Sequence, residues 1–400
     1  MDKKTLPIAL CLGALCALGP LGTDMYLSAM PQMSADLGAP AASIQMSVMS
    51  FFLGFTIGQL FYGPISDRTG RKPMVYLALA IFLIASIGCT FATSADQLLV
   101  WRFAQGIGGS IGMVISTAVV RDLYTGVMAA KLMSLVVLVL GMAPIIAPLI
   151  GSLILEFAEW RYIFALLAAF SLAAAAMIYS RLPETRTPDL RAGSNPAHAL
   201  KHYARLLVSG SFVPFAGTLA LTQGGFFAYI TGSSFVMINI YGLSPLVYSI
   251  IFGVNAVGLG IGTQVAASQM KRFGAKTIVK TATLVYASAA VLLLALEMSG
   301  LSGLWQVCLL LFLIISALGA IMPSCNLLSM EAHGAIAGTA AALMGGLGFG
   351  AGALGSFLIG IFEDGSAIPM VAIIAGFALL AALVALTSFD RQAVLATEQP

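Results

Sequence analysis

Charge is what this sequence has least of: 9% of its 400 residues are Asp, Glu, Lys or Arg, against about 25% in a soluble globular chain. Set beside a hydrophobic content of 60%, that deficit excludes a water-soluble fold and implies a chain that crosses a bilayer many times. Histidine, with 3 residues, and cysteine, with 5, are also scarce. Cys11, Cys16, Cys89, Cys308 and Cys325 are odd in number, lie in apolar runs and form no C-x-x-C pair. Neither a disulfide framework nor a thiolate metal site is expected. His198 and His202 have a helical metal-pair spacing, but no third ligand lies near them, so no metal or cofactor is expected.

What the chain has in quantity is long apolar runs. A helix needs roughly 20 residues to cross a hydrocarbon core of about 30 Å. Twelve such runs fit, near residues 6–33, 43–64, 74–94, 97–120, 130–155, 160–182, 211–240, 245–268, 277–298, 303–328, 335–361 and 367–388. The expected fold class is all-α integral membrane, with an N-terminal six-helix half (1–182), a linker (183–210) and a C-terminal six-helix half (211–400). Threading the loops alternately puts 17 of the 19 Lys and Arg residues on one side, among them Lys3, Lys4 and Arg391. The positive-inside bias makes that side the cytoplasm and places both termini there. The formal charge of +3 then follows from topology, and nothing supports a nucleic-acid partner. Lys3-Lys4 before an apolar run imitates a signal peptide, but the run continues past Asp24 to Met33 and an even span count requires it.

The halves read as repeats. The charged turn Gly63-Pro64-Ile65-Ser66-Asp67-Arg68-Thr69-Gly70-Arg71-Lys72-Pro73 recurs in weaker form as Lys271-Arg272-Phe273-Gly274-Ala275-Lys276, 204 residues later. At that offset, seven of the 17 glycines in the first 196 residues meet a glycine, where chance gives about two. Asp24 meets Ala228 and Arg102 meets Gln306, so the ionisable chemistry is confined to the first half.

Asp24 is the only acidic residue well inside a run. An ionised carboxylate at the bilayer centre costs roughly 2.5–3.5 kcal/mol, so it is expected to face a watery cavity with a function. In the fourth run Arg102, Gln105, Gly106 and Gly109 share one helical face at i, i+3, i+4 and i+7. Topology places Asp24 and Arg102 both in the outer half of the membrane, where they could meet or share water. Ser50, Gly54 and Gly58 make a small-residue stripe, and Gly141, Pro144, Pro148 and Gly151 make a single face expected to act as a contact or hinge between halves. Asp67, with Arg121 at the same inner face, is expected to form contacts that break and remake. In the seventh run Gln223, Phe226, Phe227 and Tyr229, joined by Asn255 and Asn326, offer a mixed apolar and polar surface for a ligand.

These features together resemble the major facilitator superfamily. Gly63 to Lys72 is similar to its loop motif between helices two and three, and Arg102-x-x-Gln105-Gly106-x-Gly108 to its fourth-helix motif. Thr23-Asp24-Met25-Tyr26-Leu27, Val120-Arg121-Asp122, Ala143-Pro144-x-x-Ala147-Pro148-x-x-Gly151 and Phe227-Ala228-Tyr229-Ile230-Thr231-Gly232-Ser233 resemble the Bcr/CflA drug-resistance type. Ser28 and Ser234 stand where that type is expected to carry proline, which predicts straighter first helices in both halves, and Ser152 stands for a second glycine. The resemblance implies a pseudo-symmetric transporter of the inner membrane, working as a monomer without cofactor and exporting small amphipathic drugs by alternating access against protons. Asp24 and Arg102 would couple protons, and Gln105, Gln223, Phe226, Phe227, Tyr229, Asn255 and Asn326 would contact substrate. Gly63, Asp67, Arg68, Gly70, Arg71, Lys72 and Arg121 would form a conformational latch. The alternative is an exporter or proton symporter of a small metabolite such as an amino acid or sugar. One internal Asp and no intramembrane His leave no means for an intramembrane protease or metalloenzyme.

Overall fold

The computed structural model describes residues 5–192, 196–331 and 333–397. Lys3 and Lys4 fall outside the described residues, as does the side chain of Arg391. Twelve long helices occur among the described residues, and no strand. They are α1 (Leu6–Asp36), α2 (Ala41–Thr69), α3 (Arg71–Thr90), α4 (Ala95–Leu123), α5 (Gly126–Phe157), α6 (Arg161–Arg181), α7 (Val213–Ser234), α8 (Pro245–Phe273), α9 (Ala275–Ser299), α10 (Leu304–Glu331), α11 (Ala337–Phe362) and α12 (Ile368–Phe389). Eleven are long and apolar enough to cross a membrane. The exception, α7, is buried along most of its length and carries Thr218, Thr222, Gln223, Thr231, Ser233 and Ser234 inside the protein. A helix shielded from lipid by its neighbours can hold polar side chains that a lipid-facing helix cannot.

The chain divides into two compact units, Met1–Leu200 and Lys201–Pro400. Their packing follows one plan. In the first, α1 lies against α5, α2 against α4, and α3 against α4 and α6; in the second, α7 lies against α11, α8 against α10, and α9 against α10 and α12. The repeat visible in the sequence is thus a repeat of helix contacts.

Small residues set the closest of these approaches, because without a Cβ two backbones can come into van der Waals contact. A Cβ at Gly54 would overlap the Phe103 carbonyl and one at Gly106 the Phe51 carbonyl, and Ser50 donates to Leu99 O at 2.6 Å. All three belong to the α2–α4 seam. Across α8 and α10, Gly262 lies on Ser316 O and Gly319 on Leu259 O. Gly151 of α5 lies on Met25 O, and Gly355 of α11 on Gly224 O. At these glycines α2, α5, α8 and α11 therefore meet partners inside their own units. Gly141, at the other end of the α5 stripe, is exposed and has open space where a Cβ would stand. Pro144 and Pro148 both sit inside one uninterrupted helix.

Serine at position 28 does not give an uninterrupted α1. In α1 the regular helix ends at Asp24, a 3₁₀ turn covers Leu27–Ala29, and the helix restarts at Met30. Two features meet at the break: Gly22 O, the carbonyl four residues before Tyr26, accepts a hydrogen bond from Arg102 Nη1 at 2.7 Å, and Pro31, which has no N–H to continue the ladder, stands in the first turn of the restarted helix. Beyond Ser234 the chain winds as a π-helix over Phe235–Ile240. The segment that restarts α1 carries Pro31 in its first turn, whereas the π-helical stretch continues α7 directly and contains no proline.

Gly262 and Gly260 separate packing from propensity on one helix, since a Cβ at Gly260 meets nothing within 4 Å. Gly262→Ala is expected to destabilise the solubilised protein by on the order of 1–3 kcal/mol through overpacking. Gly260→Ala is expected to leave stability unchanged or raise it slightly. Thermal melts in detergent check both.

Candidate functional site

The first unit is built around Arg102, which is fully buried. Ser94 caps α4 by accepting from Gln97 N at 3.3 Å, and the helix then points Arg102 inward. Its guanidinium lies 4.1 Å from the Tyr26 ring centroid, 4.4 Å from Phe51 and 5.9 Å from Phe164. Nη1 donates to Gly22 O and to Gln105 Oε1, while Nε and Nη2 meet no acceptor among the described residues. Gln105 passes the chain on, its Nε2 donating to Ser86 Oγ at 2.8 Å. Tyr26 is held from the other side by Ser47, with the two hydroxyls 3.2 Å apart.

Magnitudes show that this arrangement is incomplete. A cation–π contact contributes about 0.5–2 kcal/mol, whereas burying a charge without a counter-charge costs several. Asp24, 4% exposed, lies at the break in α1, two residues beyond the Gly22 carbonyl that Arg102 holds. The ion pairs among the described residues do not include these two side chains. The sequence-based meeting of Asp24 and Arg102 is therefore a neighbourhood without a salt bridge. Gln105, expected to touch substrate, is fully buried and committed to Arg102 and Ser86.

The second cluster is the turn between α2 and α3. Arg71, 1% exposed, binds Asp67 at 2.8 Å and Asp122 of α4 at 3.0 Å, and donates to Ser66 Oγ at 2.7 Å. Asp122 also accepts from Thr185 Oγ1 at 3.0 Å. The α4 partner is thus Asp122, while its neighbour Arg121 is exposed, as is Arg68. Gly63 faces Val114 at an ordinary 3.5 Å.

Sequence reasoning missed Glu184. Its carboxylate accepts from Arg71 N and Lys72 N, both at 3.0 Å, so it closes the N-terminus of α3 from the linker. Arg191 Nη2 stands 3.3 Å from the same carboxylate. Lys72 donates from Nζ to Tyr179 O at 3.3 Å. Gly70 has φ +105°, and a Cβ there would meet Glu184 Oε2 at 2.7 Å and Arg191 Cζ at 2.8 Å, so both backbone and space require glycine. The only sequence signal was an acidic residue among cations just past α6. The corresponding turn in the second unit keeps the backbone, with Gly274 at φ +76°, but has Lys271 at the place of Asp67 and Asn326 at that of Asp122.

In the second unit, Asn255 Nδ2 donates to Tyr229 OH at 2.9 Å. Tyr229 stacks 5.7 Å from Phe252 and 6.3 Å from Phe226, Phe226 lies 5.3 Å from Phe227, and Phe227 lies 5.3 Å from Phe349. Gln223, one turn before Phe227, packs its Oε1 over Gly348 with no donor. The structure thus brings five of the expected contact residues together in an aromatic row with amides at its edges. Asn326 stands apart from these bonds and donates to Met322 O of its own helix at 3.0 Å.

A polytopic helical protein with two like six-helix units, one holding an incompletely paired buried charge, is the construction of a membrane transporter. The chain belongs to the Major Facilitator Superfamily, whose family model matches residues 10–356. It is 36% identical over 387 residues to the MFS-type transporter YdgK of Bacillus subtilis (strain 168), covering 95% of each chain. It is 29% identical to the bicyclomycin resistance protein homolog of Haemophilus influenzae, with 92% of this chain and 93% of that one covered. In fold it is similar to the crystal structure of D-xylose-proton symporter, with a TM-score of 0.73 at 19% identity, covering 96% and 97%. It is a multi-pass membrane transporter and not an enzyme.

The Glu184 clasp has a pH signature. Partial burial pushes the Glu184 carboxyl up, but the N–H groups of Arg186, Arg71 and Lys72, with the Arg191 guanidinium, outweigh it and hold the group below its ordinary 4.5. A depressed carboxyl stabilises the fold above its unfolded value and loses that contribution as pH falls through the folded one. Protease cleavage of the 183–192 segment is expected to rise below about pH 4 in the wild type. In Glu184→Gln it is expected to be fast at neutral pH already and nearly independent of pH.

Proposed function

We propose that this protein is a proton-coupled secondary transporter that exports small amphipathic drugs across the bacterial inner membrane by alternating access, with both termini in the cytoplasm. The observation that carries the reading is the buried Arg102 guanidinium with two donors unmet close to the buried carboxyl of Asp24. An ionised Asp24 supplies the counter-charge that Arg102 lacks, and a protonated Asp24 withdraws it. Proton release therefore changes what Arg102 can bind, and with it the shape of α1 at its break. That is a differential interaction of the kind needed to bias two conformations. Drug and proton would favour opposite protonation states of Asp24, so that binding of one expels the other.

The aromatic row of Phe226, Phe227 and Tyr229 with Asn255 and Gln223 suits a flat apolar ligand carrying a few polar groups. The relative from Haemophilus influenzae, described as a bicyclomycin resistance protein homolog, supports a drug as cargo. The Asp67–Arg71–Asp122 cluster would latch one end state, and the open end of α5 at Gly141 and Pro144 would be a hinge. The protein would act as a monomer.

Everted vesicles energised by respiration and read with a pH-sensitive dye test this reading. Adding drugs from a panel is expected to release protons in wild type and not in Asp24→Asn, whose drug movement should become downhill only. Arg102→Lys keeps the charge but not the planar fork, and is expected to lower the maximal rate about ten-fold or more, equivalent to at least about 1.4 kcal/mol. Uphill export by Asp24→Asn at the wild-type rate would overturn the assignment.

A further inference from the structure

The helix Pro196–Leu207 in the linker is used by none of the sites above. It is amphipathic in an uneven way. Taken at 100° per residue, His198, Lys201, His202 and Arg205 occupy one arc, and the rest of the surface is apolar. The helix contains no acidic residue. One part of the apolar arc is consumed by protein, with Tyr203 at 7% and Leu206 at 1% exposure. The other part is open: Leu200 is 54% exposed and Leu207 50%, and Val208, just past the helix end, is 83%. Going round the helix, that open strip is followed by exposed Ala204 and then by the arc that carries Lys201 and Arg205, both exposed.

Chain length fixes where this strip can be. Val213, where α7 begins, is six residue steps beyond Leu207, and an extended chain spans at most about 3.6 Å per step. The C-terminal end of the helix is therefore held within about 22 Å of the start of α7. A basic helix tethered that closely, with an apolar strip open beside its cations, matches the layered chemistry of a bilayer interface. Acyl chains accept the apolar side chains, and anionic headgroups accept the ammonium and guanidinium groups.

We propose that the helix Pro196–Leu207 is a binding surface for anionic phospholipid. Leu200, Leu207 and Val208 enter the acyl boundary, while Lys201 and Arg205 hold the headgroup phosphates. The occupant is a lipid leaflet, because the exposed cations have no acidic residue on their own helix to neutralise them and the apolar side chains are open on the same short element. The proposal rests on the membrane fold and not on drug or proton coupling, so failure of the export reading leaves it in place.

The test uses the full chain in vesicles of phosphatidylglycerol and phosphatidylcholine, with a benzophenone-bearing residue introduced at Leu207. Irradiation is expected to yield phospholipid adducts by mass spectrometry, with phosphatidylglycerol enriched several-fold over its share of the bilayer. In the Lys201→Gln, Arg205→Gln background that enrichment is expected to fall to about one while lipid adducts persist. Two controls address folding: the melting temperature of each variant, and the same label at Phe91, an exposed residue far along the chain, where no enrichment is expected. Adducts within the chain itself, absence of lipid adducts, or equal capture of the two lipids before the charge substitutions would each overturn the proposal.

Discussion

The first unit is arranged around a buried guanidinium. Arg102 is permanently charged, and its burial imposes conditions on five helices at once. α1 must open its hydrogen-bond ladder at Gly22 to give it a carbonyl, and α2 and α6 must bring Phe51 and Phe164 to its faces. α3 must hold Gln105 through Ser86 so that the amide oxygen points at the charge. The close approach of α5 to α1 at Gly151 and Met25 then fixes the broken segment from behind. Each of these contacts is ordinary alone. Together they place the break in α1, and Asp24 with it, where a change in the charge of one carboxyl alters the surroundings of Arg102.

The same economy of backbone space explains why the two units pack alike while their chemistry differs. Helix-to-helix seams depend on small residues at defined turns, and those recur at the 204-residue offset, as with Gly58 and Gly262 or Gly151 and Gly355. Buried charges recur at no such offset, because each demands a set of partners that the seams do not supply. Where the first unit has Asp67 and Asp122 around Arg71, the second has Lys271 and Asn326 around Ala275. Its turn keeps the glycine geometry and loses the ionic cluster. Division of labour between the units follows from that asymmetry, with ionisable groups in one and an aromatic row in the other.

Several site residues were legible from sequence because they violate the local pattern. An aspartate and an arginine inside apolar runs, a cationic turn between two such runs, and a helix with Gln223, Phe226 and Phe227 on one face are each detectable without a partner in view. Glu184 was not legible, since one acidic residue in a charged linker breaks no pattern; its role comes from two N–H groups more than 110 residues earlier. Arg121 and Asp122 were indistinguishable by position, and a helical rotation of about 100° decides which of them faces Arg71. Gln105 and Asn326 have hydrogen bonds to Arg102 and to Met322 O that no local pattern announced.

The sequence by itself determined the membrane class, the number of apolar runs, the repeat, and the identity of the residues whose burial is costly. These follow from composition and from periodicity within single helices, which are local properties of the chain. Only the tertiary structure decided which faces of those helices meet. It showed which glycines pack on backbone inside each unit, turned the Arg102 guanidinium onto the carbonyl of Gly22 at the break of α1, and brought Glu184 to the start of α3. The reason is that a carbonyl or a Cβ position acquires its consequence from an atom on another helix, about 80 residues away in the case of Gly22 and Arg102. No local pattern encodes that distance.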